Sequence, residues 1–144
     1  DMIRVLSNAK KLDKHYTIGL VDERSEIAAM YKGVPQNDIG IRTDVMNNCI
    51  KSVGIRMMIR SMAPDIIATD EIGGENDVNA ILEAVCLGIK LLLTIHGMGL
   101  NDMPPKLLER NIFRNVIVLS KDGPPGLIKN IYKMEDNKYV DVYS

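Results

Sequence analysis

The stretch PDIIATDEIGG at residues 64–74 constrains the fold more than any other segment of the chain. Four apolar or small residues, 66–69, run directly into two carboxylates, Asp70 and Glu71, and two glycines follow shortly after. An apolar run of this kind is typical of a strand that is buried on both faces, as in a parallel sheet. Because burying a charge beside an apolar strand costs free energy, the presence of two carboxylates at the end of this strand needs an explanation.

Strand and helix patterns alternate along the chain. This alternation is typical of βαβ units and predicts an α/β fold with a three-layer, mainly parallel sheet. The last two apolar segments flank the turn EDNK and predict a C-terminal antiparallel hairpin. Residues 31–51 carry Gly, Pro and Asn and are predicted to be mostly loop. We predict helices over residues 1–15, 53–62, 75–88 and 104–110, and strands over residues 16–21, 66–69, 89–95 and 113–120. The residues of the 75–88 helix predicted to face inward are Val78, Ile81, Leu82, Val85 and Cys86.

Polar residues follow three of the predicted strands. In parallel α/β sheets, ligands bind beyond the carboxyl ends of the strands, so these side chains are candidates for a functional site. Polar residues at the ends of three strands indicate a functional site more strongly than polar residues at the end of any one strand. The residues are Asp22, Glu23 and Glu26 at the end of the first strand, Asp70 and Glu71 at the end of the second, and Thr94 and His96 at the end of the third.

The pair of Asp70 and Glu71 has two interpretations. An apolar strand that ends in Asp-Glu is the pattern of a Walker B element, in which the Asp holds Mg²⁺ and the Glu orients or activates the attacking water. A hard dication requires oxygen ligands, and a strand end fixes their positions. The alternative is that both carboxylates only cap the positive end of the following helix. We favour the Walker B interpretation.

The other candidates also have structural alternatives. The acidic cluster of Asp22, Glu23 and Glu26 is equally compatible with a solvated helix start. Arg24 beside it could pair with these acids or face the phosphate of a neighbour. A lone histidine near a strand end, such as His96, is more often structural than catalytic.

Composition excludes several classes of function. The chain has 144 residues, enough for one domain with a hydrophobic core, and a formal net charge of −1. A basic nucleic-acid surface or a polybasic membrane surface is therefore not expected.

No GxxxxGK[ST] phosphate loop occurs in the sequence. The segment KDGPPGLIK at residues 121–129 does not replace it, because its prolines have no N–H to donate, and we predict a turn there.

Three blocks of the sequence resemble one family. The blocks GLVDERSEIAA, GVPQNDIGIRTDV and IRSMAPDIIATDEIGGENDVNAILEAVCLGIKLLLTIHG resemble the stage III sporulation protein AA family over about residues 1–133. These proteins are RecA-like ATPases related to the type II and type IV secretion ATPases. The resemblance implies a RecA-like P-loop NTPase fold, with ATP and Mg²⁺ as cofactors of the intact protein.

The resemblance also implies a role for each matching position. Asp70 would hold Mg²⁺ and Glu71 would act on the water, while the family's acidic box and its γ-phosphate-sensing histidine would supply further groups. The implied catalytic residues are Glu71, Glu23, Glu26 and His96, and the implied nucleotide-binding or subunit-boundary residues are Asp22, Arg24 and Arg42. The implied partners are further copies in a homo-oligomeric ring, expected to be a hexamer, and membrane channel or secretion proteins. The implied place is the mother-cell cytoplasm, peripheral to the membrane.

The chain departs from the family at its start. The family's GKT-containing loop should lie just before Asp1, so we expect residues 1–144 to be one C-terminal part of a RecA-like ATPase domain that begins within the helix after the phosphate loop. The intact protein is then expected to hydrolyse ATP, whereas this piece alone is not. The missing phosphate-loop strand should leave the strands IKLLLTI and FRNVIVLS each with an unpaired edge. The two strands could close on each other, another chain could contribute, or an N-terminal piece could remain associated.

Two further functions are carried as alternatives. One is a non-enzymatic module that keeps the RecA-like scaffold for assembly. The other is a nucleic-acid-dependent ATPase, which the net charge of −1 disfavours.

Overall fold

A computed structural model of the chain describes residues 1–8 and 15–143. The predicted helix over residues 1–15 begins as expected, and its part at residues 9–14 lies outside the described residues. The helices are α1 (Met2–Asn8), α2 (Lys51–Met62), α3 (Glu75–Cys86) and α4 (Pro105–Glu109), with a 3₁₀ turn at Leu100–Asp102. The strands are β1 (Ile18–Asp22), β2 (Met30–Tyr31), β3 (Val34–Pro35), β4 (Thr43–Asn47), β5 (Ile66–Glu71), β6 (Lys90–Thr94), β7 (Asn115–Leu119), β8 (Ile128–Glu135) and β9 (Lys138–Tyr143).

The chain divides into two compact units, Asp1–Thr94 and Ile95–Ser144. In the first unit, four strands form a parallel sheet in the order β4-β1-β5-β6, which confirms the predicted α/β class. In the second unit, β7, β8 and β9 form an antiparallel sheet in chain order, and β8 and β9 are the predicted hairpin. Residues 121–127 form the predicted turn region before β8.

The parallel sheet of the first unit is covered on both faces. On one face, Ile18, Leu20 and Ala68 form a buried cluster against which Leu6 of α1 packs. On the other face the sheet meets α2, and a Cβ at Gly19 would stand 3.3 Å from Met58 Sδ. This is the predicted three-layer arrangement, and it leaves the carboxyl ends of the strands at one edge of the unit.

The prediction that residues 31–51 are mostly loop is wrong for Thr43–Asn47. These residues form β4, which pairs in parallel with β1 and is the edge strand of the sheet. An edge strand is only partly covered, so it lacks the continuous apolar run by which a central parallel strand is recognised. Asp44 of β4 is exposed, and the polar residues around it have the composition of a loop.

The inward face of α3 is rotated from the predicted one. Val78, Ile81 and also Ala80 and Ala84 are buried, whereas Cys86 is exposed, so the prediction that Cys86 faces inward is wrong. Small side chains allow a helix to approach a sheet closely, and the prediction had weighted the larger residues. Among the described residues, the longest helices are α2 and α3, with 12 residues each. Across residues 1–8 and 15–143, no helix combines the length and the apolar character needed to cross a membrane.

The two strands expected to flank a missing strand are each paired on one side in the described part of the chain. In the first unit β6 pairs only with β5, and in the second unit β7 pairs only with β8. β6 and β7 belong to different sheets. That another strand completes either edge stays a prediction.

The contact between α2 and β1 gives a first testable prediction. A Cβ at Gly54 would stand 2.7 Å from Val21 Cγ1 and 2.8 Å from Cys49 Sγ. We expect Gly54→Ala to destabilise the full-length protein by up to about 2 kcal/mol, because an overpacking cost of about 1–3 kcal/mol is offset by only the roughly 1 kcal/mol that Ala gains in helix propensity. The midpoint of thermal unfolding measures the change. Gly73→Ala is the matched control, since nothing lies within 4 Å of a Cβ there; a higher midpoint for Gly54→Ala would contradict the prediction.

Candidate functional site

The carboxyl end of β5 is irregular. The register of β5 against β6 shifts between Thr69 and Glu71, so that Asp70 is an extra residue in the strand. A bulge of this kind bends a strand and re-aims its side chains. Here it places the partly buried Asp70 next to the exposed Glu71 at the edge of the sheet.

A buried lysine, Lys51, lies against this strand end. Its Nζ is 2.7 Å from Asp70 Oδ1 and 3.7 Å from Glu23 Oε2, and it also donates to the backbone carbonyl of Glu71. The side chain of Lys51 is only 7% exposed. The first residue of α2 therefore joins the end of β5 to the loop after β1.

Lys51 is absent from the residues predicted from the sequence. The segment before α2 has the composition of a loop, and a single lysine there has no distinguishing pattern. One weak signal was available, because a cation in the first turn of a helix opposes the helix dipole and so suggests a nearby anion.

Asp22, at the end of β1, is turned into the protein. Its side chain is fully buried, and its oxygens accept three backbone N–H groups. Oδ1 accepts from Glu26 at 2.9 Å, and Oδ2 accepts from Ile27 at 3.0 Å and Ala28 at 2.8 Å. These contacts give Asp22 a structural task, which is to hold the loop that follows it; its implied contact with a nucleotide stays a prediction.

The loop held by Asp22 has a constrained backbone. Ser25 and Ala29 have positive φ angles of 58° and 49°, which are uncommon for residues other than glycine. Ser25 Oγ also accepts the backbone N–H of Met30 at 2.8 Å. A loop fixed at so many points holds its outward side chains in defined positions.

Of the residues on this loop, Glu23 reaches Lys51 and so forms, with Asp70, the carboxylate cluster around that lysine. Its side chain is 41% exposed and is paired with Lys51, whereas Arg24 and Glu26 are exposed to solvent. Burial, and in second place the charge of Glu23, raises the pKa of the half-buried Cys49 thiol. The catalytic role implied for Glu26 and the boundary role implied for Arg24 stay predictions.

The start of α3 does not depend on Asp70 or Glu71. Asp77 is the carboxylate that bonds to the backbone at this helix start. It accepts the backbone N–H groups of Gly73 and Gly74 at 3.4 Å each. Asp70 is instead engaged by Lys51. The helix-capping alternative for this pair of carboxylates is therefore not supported by the contacts.

Of the two remaining predicted residues, Arg42 lies away from this cluster, and His96 belongs to the other compact unit. Arg42 precedes β4 at the opposite end of the sheet, where its Nη1 donates to the carbonyl of Ser7 at 3.3 Å and its backbone N–H to Ser7 Oγ at 2.8 Å. His96 is exposed and belongs to the second unit, two residues beyond β6. Their implied roles, at a subunit boundary and in sensing phosphate, stay predictions.

The donors at the end of β5 fit a magnesium ion that is shared with phosphate. No group of three or more His, Cys, Asp or Glu residues able to hold a metal occurs among the described residues. Mg²⁺ in nucleotide sites needs less, since it is usually bound through one or two carboxylates together with water and phosphate oxygens. Asp70, with Glu71 and Glu23 nearby, supplies hard oxygen donors of this kind.

Comparison with known proteins identifies the family. The model of the family described as sporulation stage III, protein AA, matches residues 1–139. The chain belongs to this family. It is 38% identical over 142 residues to stage III sporulation protein AA of Bacillus subtilis (strain 168), a match that covers 95% of the chain and 46% of that relative. The chain thus spans less than half the length of the curated relative that it matches.

Among solved structures, the family member is similar to the Legionella pneumophila ATPase DotB. The TM-score is 0.55 at 18% identity, covering 84% of this chain and 37% of that one. At this identity the likeness concerns the fold alone, and it agrees with the α/β class predicted from the sequence. The resemblance of the sequence blocks to the sporulation family is confirmed.

Proposed function

We propose that this sporulation stage III AA chain contributes the metal- and water-binding half of an ATPase site. The observation that carries the proposal is the convergence of the Asp70 and Glu23 carboxylates and the backbone carbonyl of Glu71 on Lys51 at the carboxyl end of a parallel sheet. Ligands of such sheets bind at that edge, and an Asp that can hold Mg²⁺ beside a residue that can orient the attacking water is the pattern of a Walker B element.

Each residue of the cluster has a defined task in the proposal. Asp70 holds the metal or a water bound to it, and bound Mg²⁺ supplies charge neutralisation at the phosphates. Glu71, whose side chain is exposed, orients or activates the attacking water as a general base. Glu23 and Glu26 lie on the loop that Asp22 fixes, and they help to position the metal and the water. His96 senses the γ-phosphate.

The wider setting is part of the same proposal. The intact protein assembles into a homo-oligomeric ring, expected to be a hexamer, with Arg24 and Arg42 at the boundaries between subunits. It works in the mother cell of a sporulating bacterium, peripheral to the membrane, and energises a channel or secretion assembly there. The family membership and the ATPase fold of the solved neighbour support this setting.

Hydrolysis assays on the full-length protein test the proposal. We expect ATP hydrolysis that requires Mg²⁺ and is lost in Asp70→Asn. A purified, folded full-length protein that neither binds nor hydrolyses Mg-ATP would refute it and would favour a non-enzymatic assembly module. Activity that requires DNA, with salt-sensitive DNA binding, would instead favour a nucleic-acid-dependent ATPase.

A further prediction concerns the 144-residue chain by itself. Its sequence has no GxxxxGK[ST] loop to hold the β- and γ-phosphates. In calorimetric titrations we expect no Mg-ATP binding by this chain and micromolar binding by the full-length protein. Micromolar binding by both would show that the phosphates are held by residues within the chain and would contradict the prediction.

A further inference from the structure

Lys51 is the cationic centre of the carboxylate cluster. Its Nζ contacts Asp70 Oδ1 at 2.7 Å, Glu23 Oε2 at 3.7 Å and the carbonyl of Glu71. The side chains of Lys51 and Asp70 are 7% and 16% exposed. Little water is therefore available to solvate the ammonium group, and the carboxylates take its place.

Helix stability does not account for this position of Lys51. It is the first residue of α2, where the helix dipole disfavours a positive charge, and the first turn has no acidic residue. A buried ion pair also does little for stability compared with well-packed apolar side chains. What the lysine does achieve is to place a positive charge between carboxylates that would otherwise repel each other.

The two oxygens of Asp70 have different surroundings. Oδ1 is held by Lys51, and the hydroxyl of Thr69 lies 3.3 Å from the same oxygen. Within residues 1–8 and 15–143, no protein group donates to Oδ2. One oxygen is thus fixed by the protein, while the other keeps its lone pairs for a ligand.

We propose that Lys51 is a positioning residue of the metal site, which holds Asp70 through Oδ1 and so leaves Oδ2 available to the metal or to a water bound to it. The inference rests on the proposed function and adds to it a residue that acts through Asp70 and Glu23. Groups that orient a metal-binding side chain typically affect metal affinity by about 10–100-fold.

The test uses the full-length protein with ATP and with Mn²⁺ as a spectroscopic probe for Mg²⁺. We expect Lys51→Met to weaken Mn²⁺ binding to the protein–ATP complex by about tenfold or more, as measured by electron paramagnetic resonance. Binding of ATP without metal, in the presence of a chelator, is expected to stay unchanged. A purely structural role of Lys51 would weaken both. Lys129→Met, at an exposed lysine of β8, is the matched control.

Several results would overturn the inference. Unchanged Mn²⁺ affinity in Lys51→Met would show that Asp70 needs no positioning, and tighter binding would show that the lysine competes with the metal. If Lys51→Met does not fold, Lys51→Gln keeps a hydrogen-bond donor of similar length without the charge, and the same weakening is expected of it. A wild-type protein that binds no Mn-ATP would refute the proposed function itself, whereas wild-type affinity in both Lys51 variants would refute only the positioning role.

Discussion

The full-length protein carrying Glu71→Gln is expected to bind Mg-ATP as tightly as the wild type and to hydrolyse it at least about 100-fold more slowly. The amide keeps the size of the side chain but cannot accept a proton from the attacking water. Glu71 is exposed, and only its backbone carbonyl, which the substitution leaves in place, contacts Lys51. The fold and the metal site should therefore be preserved while the chemical step is lost.

Steady-state hydrolysis and nucleotide binding, measured side by side, check this expectation. Glu109→Gln is the matched control, because it makes the same change at an exposed glutamate of α4 and should leave the rate unaltered. Asp70→Asn should differ from Glu71→Gln by weakening the binding of the metal as well. A Glu71→Gln protein that hydrolyses ATP at the wild-type rate would remove Glu71 from the proposed mechanism.

The elements that could be predicted from the sequence are those whose local pattern agrees with their tertiary setting. β5 is central in the sheet and buried on both faces, so its apolar run was sufficient. The hairpin of β8 and β9 is closed by a local turn at Asp136 and Asn137, both with positive φ. For these elements, sequence neighbours determine the structure, and distant residues add little information.

The features that could not be predicted depend on contacts across the sheet. β4 is a strand because β1 pairs with it, and its own composition is that of a loop. Lys51 contacts Glu23 and Asp70 only because the fold places α2 beside the ends of β1 and β5. The sequence also does not predict which way the Asp22 side chain points, because an acidic residue at a strand end can face either a ligand or its own loop. The three backbone N–H contacts in the structure distinguish these two orientations.

Asp22→Ala is expected to cost the full-length protein about 3 kcal/mol of stability, because it leaves three backbone N–H groups without their charged acceptor. For a domain of this size, the thermal midpoint should fall by roughly 6–12 °C. Asp22→Asn should be nearly as harmful, since its amide nitrogen would face an N–H group in place of one of the acceptor oxygens. Hydrogen exchange at Glu26, Ile27 and Ala28 should report the loss directly, with protection reduced roughly 100-fold.

The same two variants decide between the structural and the nucleotide-binding interpretation of Asp22. Asp44→Asn, at an exposed aspartate of β4, is the control and should leave the midpoint within about 1 °C of the wild type, as is usual for surface substitutions. If Asp22 acts by holding the loop, stability and amide protection fall in the absence of any nucleotide. Weaker Mg-ATP binding at an unchanged midpoint would mean that its carboxylate leaves the loop to contact the ligand. The full burial of Asp22 favours the first result, because a side chain with no accessible surface must break three hydrogen bonds before it can reach a phosphate or a metal.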